Sequence, residues 1–135
     1  MVGGALNMKT IPVTCAIIQF DDKILAVQRS ETMKLPLKWE FAGGKIEEGE
    51  TEVECIKREI FEELNIKIEI KDKLTPVTHE YPDFKIKLIP FTAEYISGEL
   101  ILNEHVNSVL VNKKELINLD WAEADLPILQ EYLSL

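Results

Sequence analysis

The sequence has no apolar run of membrane-spanning length and no secretory h-region, so a cytoplasmic protein without a membrane segment is expected. It holds only two cysteines. Cys15 falls in a strand-like run and Cys55 in a helical one, and both read as small buried hydrophobes rather than as a disulfide, metal ligands or nucleophiles. Basic residues are scarce as well: 15 Lys and Arg against 24 Asp and Glu leave a net charge of −9. No basic stripe is available to neutralise a row of phosphates, which excludes a nucleic-acid polymer as partner. A small phosphorylated ligand is still allowed, provided a divalent metal bridges its charge to an acidic site. Internal repeats and low-complexity segments are absent too. What remains is one domain with enough chain to bury a core, expected over residues 8–135, with MVGGALN as a tail or tag remnant before it.

The apolar residues Val53, Ile56, Ile60 and Leu64 recur at helical spacing and predict a helix from about Thr51 to Leu64, entered from a glycine turn at Gly43-Gly44. Its other face carries Glu59, Glu62 and Glu63 at i, i+3 and i+4, side by side, with Glu52 two turns earlier pointing roughly the same way. Like charges at this spacing destabilise a helix by roughly 0.2–0.5 kcal/mol per pair. Either the face is simply solvated acid, or a cation offsets the repulsion. Clustered carboxylate oxygens are hard ligands that suit Mg²⁺ or Mn²⁺.

Around this helix the pattern is mostly strand. IPVTCAIIQF, Ile11 to Phe20, reads as a buried strand that turns at Asp21-Asp22-Lys23 into a second one, Ile24 to Arg29. Trp39 and Phe41 alternate with Glu40 and Ala42 as a short strand would. Alternation from Ile66 to Ile70 continues towards Tyr81, and Phe84 to Ile89 runs on through Tyr95, with turn chemistry at Tyr81-Pro82-Asp83 making an antiparallel hairpin. Ser97-Gly98-Glu99 is a further turn and Val106 to Val111 a further strand. Lys113 to Leu116 starts a short helix, and LPILQEYLSL a closing one capped near Asp125. Strands, a central helix, more strands and a final helix make an α/β or α+β arrangement with a mixed sheet between helices.

Written as Gly44-x5-Glu50-x7-Arg58-Glu59-Ile60-x-Glu62-Glu63-x-x-Ile66, the central segment resembles the Nudix box, G-x5-E-x7-R-E-U-x-E-E-x-G-U with U aliphatic. Asn65 stands where the box has glycine; asparagine is the next-best residue for a left-handed helix cap, so the turn is expected to survive. The resemblance implies an α/β/α sandwich with the box as a loop-helix-loop. It also implies hydrolysis of a nucleoside diphosphate linked to a further group, with Mg²⁺ as cofactor and Mn²⁺ able to substitute. By the same resemblance Glu59, Glu62 and Glu63 are metal ligands together with the backbone carbonyl of Gly43. The base is Glu59 or Glu62, and Arg58 pairs with box carboxylates, Glu50 foremost.

The likeness extends from Ile11 onward to MutT-like nucleoside triphosphate pyrophosphohydrolases. It makes Glu104 the extra glutamate that reaches the metal cluster, Arg29 a phosphate contact, and Gly44 and Phe41 part of the substrate site. Asp125 becomes the residue that reads the base edge, a carboxylate suited to an exocyclic amine such as cytosine's; an ordinary helix N-cap is the other reading. His105 reads as a plain loop histidine and His79 as structural. Phe84 replaces the arginine of the mutation-avoidance enzymes, which puts a direct 8-oxopurine contact in doubt; it either stacks on a base or packs in the hairpin. A monomer or homodimer is implied. Two rival readings stay open: another Nudix substrate, such as ADP-ribose or a dinucleoside polyphosphate, and a non-catalytic nucleotide-binding regulator.

Overall fold

Along Thr10–Phe20 (β1) the buried side chains alternate between two apolar clusters, Cys15 and Ile17 in one, Ala16 and Ile18 in the other. A strand so patterned needs cover on both faces, and both are covered. The helix Glu52–Leu64 (α1) brings Ile56, Ile60 and Leu64 to one cluster, and Leu126–Leu133 (α2) brings Ile128 and Leu129 to the other. The expected α/β/α sandwich results. The computed structural model describes residues 9–135, so the expected tail MVGGALN lies outside the described residues.

Lys23–Gln28 (β2) follows β1 across a two-residue turn, but the two strands stay paired only at Gln19–Ile24 and Phe20–Lys23. Beyond that they part. The gap is filled by the segment that runs antiparallel first to β2, as Trp39–Glu40 (β3), and then to β1, as Gly43–Lys45 (β4). Lys67–Lys73 (β5) and Val77–Tyr81 (β6) both pair antiparallel with Phe84–Ser97 (β7), which lies parallel to β1 from Thr10–Lys85 to Gln19–Glu94. Asn107–Val111 (β8) closes the other side against β2. The sheet is therefore mixed. Two 3₁₀ turns, Lys113–Asn118 and Glu123–Asp125, lead into α2.

Several expectations need correction. Gly43-Gly44 is not a turn but a strand, and glycine is required there by close approach: a Cβ on Gly43 would lie 1.9 Å from the Thr14 carbonyl oxygen. The glycines at positive φ are Gly49, at 81°, and Gly98, at 105°. Val53 is 38% exposed, and the stripe that α1 buries starts at Cys55 and Ile56 instead. The run from Ile66 to Tyr81 breaks into β5 and β6, and the helix start at Lys113 stays a 3₁₀ turn. Both cysteines are free and buried, as expected. No helix among the described residues is long and apolar enough to cross a membrane.

Candidate active site

Thr51 fixes where α1 begins. Its hydroxyl accepts the Glu54 N–H at 3.1 Å while the Glu54 carboxylate accepts the Thr51 N–H at 2.8 Å, a reciprocal cap that stabilises a helix by about 1 kcal/mol. Asn65 ends it at φ 62°, left-handed as expected, with its N–H on the Phe61 carbonyl. Between these caps Arg58 reaches back to the loop. Its Nε and Nη2 donate to the two oxygens of Glu50 at 2.6 and 2.9 Å, and its Nη1 donates to Glu59 at 2.8 Å and Glu62 at 2.9 Å. The guanidinium beside Glu50, helped by the Glu47 backbone, holds that carboxyl down to about 2. The expected pairing of Arg58 with Glu50 is the geometry found.

The three helix glutamates differ. Glu59 lies over Gly44, so closely that a Cβ there would sit 2.3 Å from its carboxyl, and it lines a cleft of about 800 Å³. Glu63 lines the same cleft but is 6% exposed, and its Oε2 has no partner among the described residues. Burial, then Glu104, Glu59 and Glu40, push its carboxyl up to about 9. Glu62 is turned out of the cleft wall towards Arg58 and is 57% exposed. Glu52 does not share the acidic face: it pairs with Lys73 at 2.7 Å.

Among the described residues no set of three or more His, Cys, Asp or Glu side chains is gathered closely enough to hold a metal ion. A hard divalent cation nevertheless fits the donors. The last turn of α1 carries glutamates and no basic residue, where the helix dipole disfavours negative charge. An orphaned buried carboxylate oxygen and a carboxyl driven towards its neutral form are what such a group shows when positive charge is wanting. Magnesium usually takes one or two carboxylates and completes its shell with water and substrate phosphate, so a closed protein cage is not required. Glu104 and Gly43 line the cleft as well.

The other end of the cleft is apolar. Phe41 is buried and tilted against Trp121 with ring centroids 4.6 Å apart, and Phe84 stacks on Tyr81 at 4.8 Å with the Lys34 ammonium over its outer face. Asp125 is the polar group there. It makes no side-chain cap to α2; its Oδ2 accepts the Phe41 N–H at 2.9 Å. The capping reading thus gives way to a buried carboxyl lining the cleft, raised well above the ordinary aspartate range by burial and then by Glu40. Because the folded state holds this proton more tightly than the unfolded chain, Asp125 costs stability increasingly as pH rises above about 4. Asp125→Asn keeps an acceptor for Phe41 without the charge. Its melting temperature should exceed the parent's at pH 8 by more than at pH 5, in thermal melts across that range; a constant offset would contradict the buried charge.

Arg29 follows directly after β2 and lines the cleft, its Nη1 on Glu40 Oε1 at 2.9 Å. His79 packs edge-on against Tyr81. Sequence reasoning missed Glu40 and misjudged His105, which is buried with Nε2 2.8 Å from Glu40 Oε2. The one available signal was an acid between two aromatics, Trp39 and Phe41, directly before a glycine pair.

The NUDIX domain family matches residues 8–132. The CTP pyrophosphohydrolase of Escherichia coli (strain K12) is 34% identical over 128 residues, 95% of each chain. The 8-oxo-dGTP diphosphatase of the same strain is 32% identical over 93 residues, 68% of this chain and 72% of its own. Among solved structures, the solution NMR structure of the DNA mismatch repair protein MutT (family Nudix hydrolase) from methicillin-resistant Staphylococcus aureus 252 is 39% identical. It covers 95% of this chain and 98% of its own, with a TM-score of 0.77.

Proposed function

We infer the reaction from one premise: this chain belongs to the Nudix family and is a MutT-like nucleoside triphosphate pyrophosphohydrolase. The observation that carries the finer reading is the cleft, sized for a nucleotide, with carboxylates at one end and aromatic rings around a single buried carboxyl at the other. The acidic end suits a metal-bound triphosphate and the aromatic end a base. Glu59, Glu63 and Glu104, with the Gly43 carbonyl, line the cleft and are the groups that would hold Mg²⁺; Glu62 would join them only by turning away from Arg58. When bound, the ion neutralises phosphate oxygens and makes a water more acidic.

Glu59 is the base, a choice supported by its place in the cleft wall, which Glu62 lacks. It takes one proton from the attacking water. The water oxygen bonds to the β-phosphorus as the bond from that phosphorus to the oxygen bridging the α-phosphate breaks, and that oxygen leaves with the nucleoside monophosphate, giving pyrophosphate as the second product. Arg29 meets the phosphate charge, Gly44 allows the chain to approach closely, and Phe41 and Asp125 hold the base. The preferred substrate is a cytidine triphosphate. This is supported by the 34% identity to the CTP enzyme along nearly the whole chain and by Phe84 in place of an arginine.

Steady-state turnover of CTP, 8-oxo-dGTP, dGTP, ADP-ribose and a dinucleoside tetraphosphate with Mg²⁺ tests this. CTP should give the highest kcat/KM, and hydrolysis in ¹⁸O-water should place the label in pyrophosphate rather than CMP. Fast ADP-ribose hydrolysis without triphosphate turnover would replace the substrate; nucleotide binding without turnover of any member would point to a regulator instead.

A further inference from the structure

The side chain of His105 is 1% exposed, and its Nε2 bonds to Glu40 Oε2 at 2.8 Å. The other oxygen of that carboxylate accepts Nη1 of Arg29 at 2.9 Å, and Nε of Arg29 donates to the Lys34 carbonyl at 2.5 Å. Three neighbouring strands bring these groups together. Glu40 ends β3 opposite Val27 of β2, Arg29 follows the last residue of β2, and the Val106 N–H on the Gln28 carbonyl (3.0 Å) fastens the His105 loop to that same strand end from its other side. Arg29 and Glu40 line the cleft, whereas His105 stands behind them.

Filling space does not account for the imidazole. Its Nδ1 is buried without a partner among the described residues, which is unfavourable, and an apolar side chain of similar size would avoid that cost. The bond to Glu40 is what the ring contributes. Gripped by an imidazole on one oxygen and a guanidinium on the other, Glu40 has no freedom to rotate, and Arg29 is fixed with its Nη2 uncommitted among the described residues.

We propose that His105 and Glu40 are positioning residues that hold Arg29 in register for the substrate phosphates, so that His105 sets nucleotide affinity through two hydrogen bonds without touching the nucleotide. This rests on the nucleotide reading above. His105→Leu should raise KM for CTP about tenfold and leave kcat within about threefold, the mark of lost binding rather than lost chemistry. His105→Gln, whose amide N–H can take the place of Nε2–H, should recover most of the difference. In an Arg29→Ala background the His105→Leu change should shift KM less than about twofold, because residues of one network are not additive.

An unchanged KM in His105→Leu would overturn the proposal. So would an equal effect with and without Arg29, or a collapse of kcat at constant KM, which would place the role of His105 in the neighbouring Glu104. Should His105→Leu fail to fold by circular dichroism, Glu40→Gln in the same cycle with Arg29→Ala carries the test, additivity again being the adverse result. If the parent protein hydrolyses a different nucleotide from the panel, the substrate assignment fails and the cycle is read on that nucleotide.

Discussion

Glu59→Gln is expected to lower kcat for CTP by about 10²–10⁴-fold, the usual contribution of a positioned proton acceptor, with the melting temperature close to the parent's. The amide is nearly the same shape as the carboxylate, so it can lie over Gly44 and accept the Arg58 N–H that Glu59 accepts at 2.8 Å. It can neither take a proton from water nor contribute negative charge towards a cation. The comparison that gives the result its meaning is Glu62→Gln, because Glu62 lies outside the cleft wall and faces Arg58. At saturating Mg²⁺ the loss in kcat should be larger for Glu59. Equal losses would remove the preference for Glu59 as base, and a Glu59→Gln rate within about tenfold of the parent would remove this end of the cleft from the chemistry altogether.

Adjacent glycines should fail in different ways. A Cβ on Gly43 would meet the Thr14 carbonyl oxygen at 1.9 Å and the Cys15 Cα at 2.7 Å, both backbone atoms of the central strand. Nothing there can rotate aside, so β4 must lift from β1 and take the Ala42 carbonyl, which receives the Ala16 N–H, with it. Gly43→Ala should therefore destabilise the fold by about 3 kcal/mol or more, at the upper end of overpacking penalties, read as a lowered urea midpoint. On Gly44 the obstacle is the Glu59 carboxyl at 2.3 Å, the mobile end of a side chain. Gly44→Ala should keep the parent's unfolding free energy in urea titration within about 0.5 kcal/mol and lose activity by displacing Glu59. A Gly43→Ala protein as stable as the parent would show that β1 and β4 are not packed as tightly as described.

What the sequence disclosed follows the range of the interactions. The α1 boundaries were legible because Thr51, Glu54 and Asn65 act within a few residues of the helix ends, and the Arg58–Glu50 fork because its spacing is part of a fixed motif. The two-sided burial of β1 was legible as a continuous apolar run. Gly43 and Gly44 were misread because the reason for glycine lies far along the chain, in β1 about thirty residues earlier for Gly43 and in the Glu59 carboxyl of α1 for Gly44, whereas local chemistry suggests only a turn. His105 looked ordinary for a similar reason: its polar neighbours Asn103 and Glu104 say nothing about a partner sixty-five positions earlier. Asp125 was placed correctly at the start of the final helix, but whether its carboxyl capped that helix or turned to Phe41 depended on the sheet beneath.

The parting of β1 and β2 lets one short extended piece of chain line both ends of the cleft. Phe41 faces the cluster beneath α2, while Ala42 beside it and Glu40, paired with Val27, belong with the α1 side, and Gly43 and Gly44 follow at once. The distance from the aromatic end of the cleft to its carboxylate end is thereby measured out in pleats, like marks on a ruler. Lengthening or shortening residues 39–45 by one would exchange the two sides, taking Phe41 out of the cluster beneath α2 and putting Glu40 or Ala42 in its place.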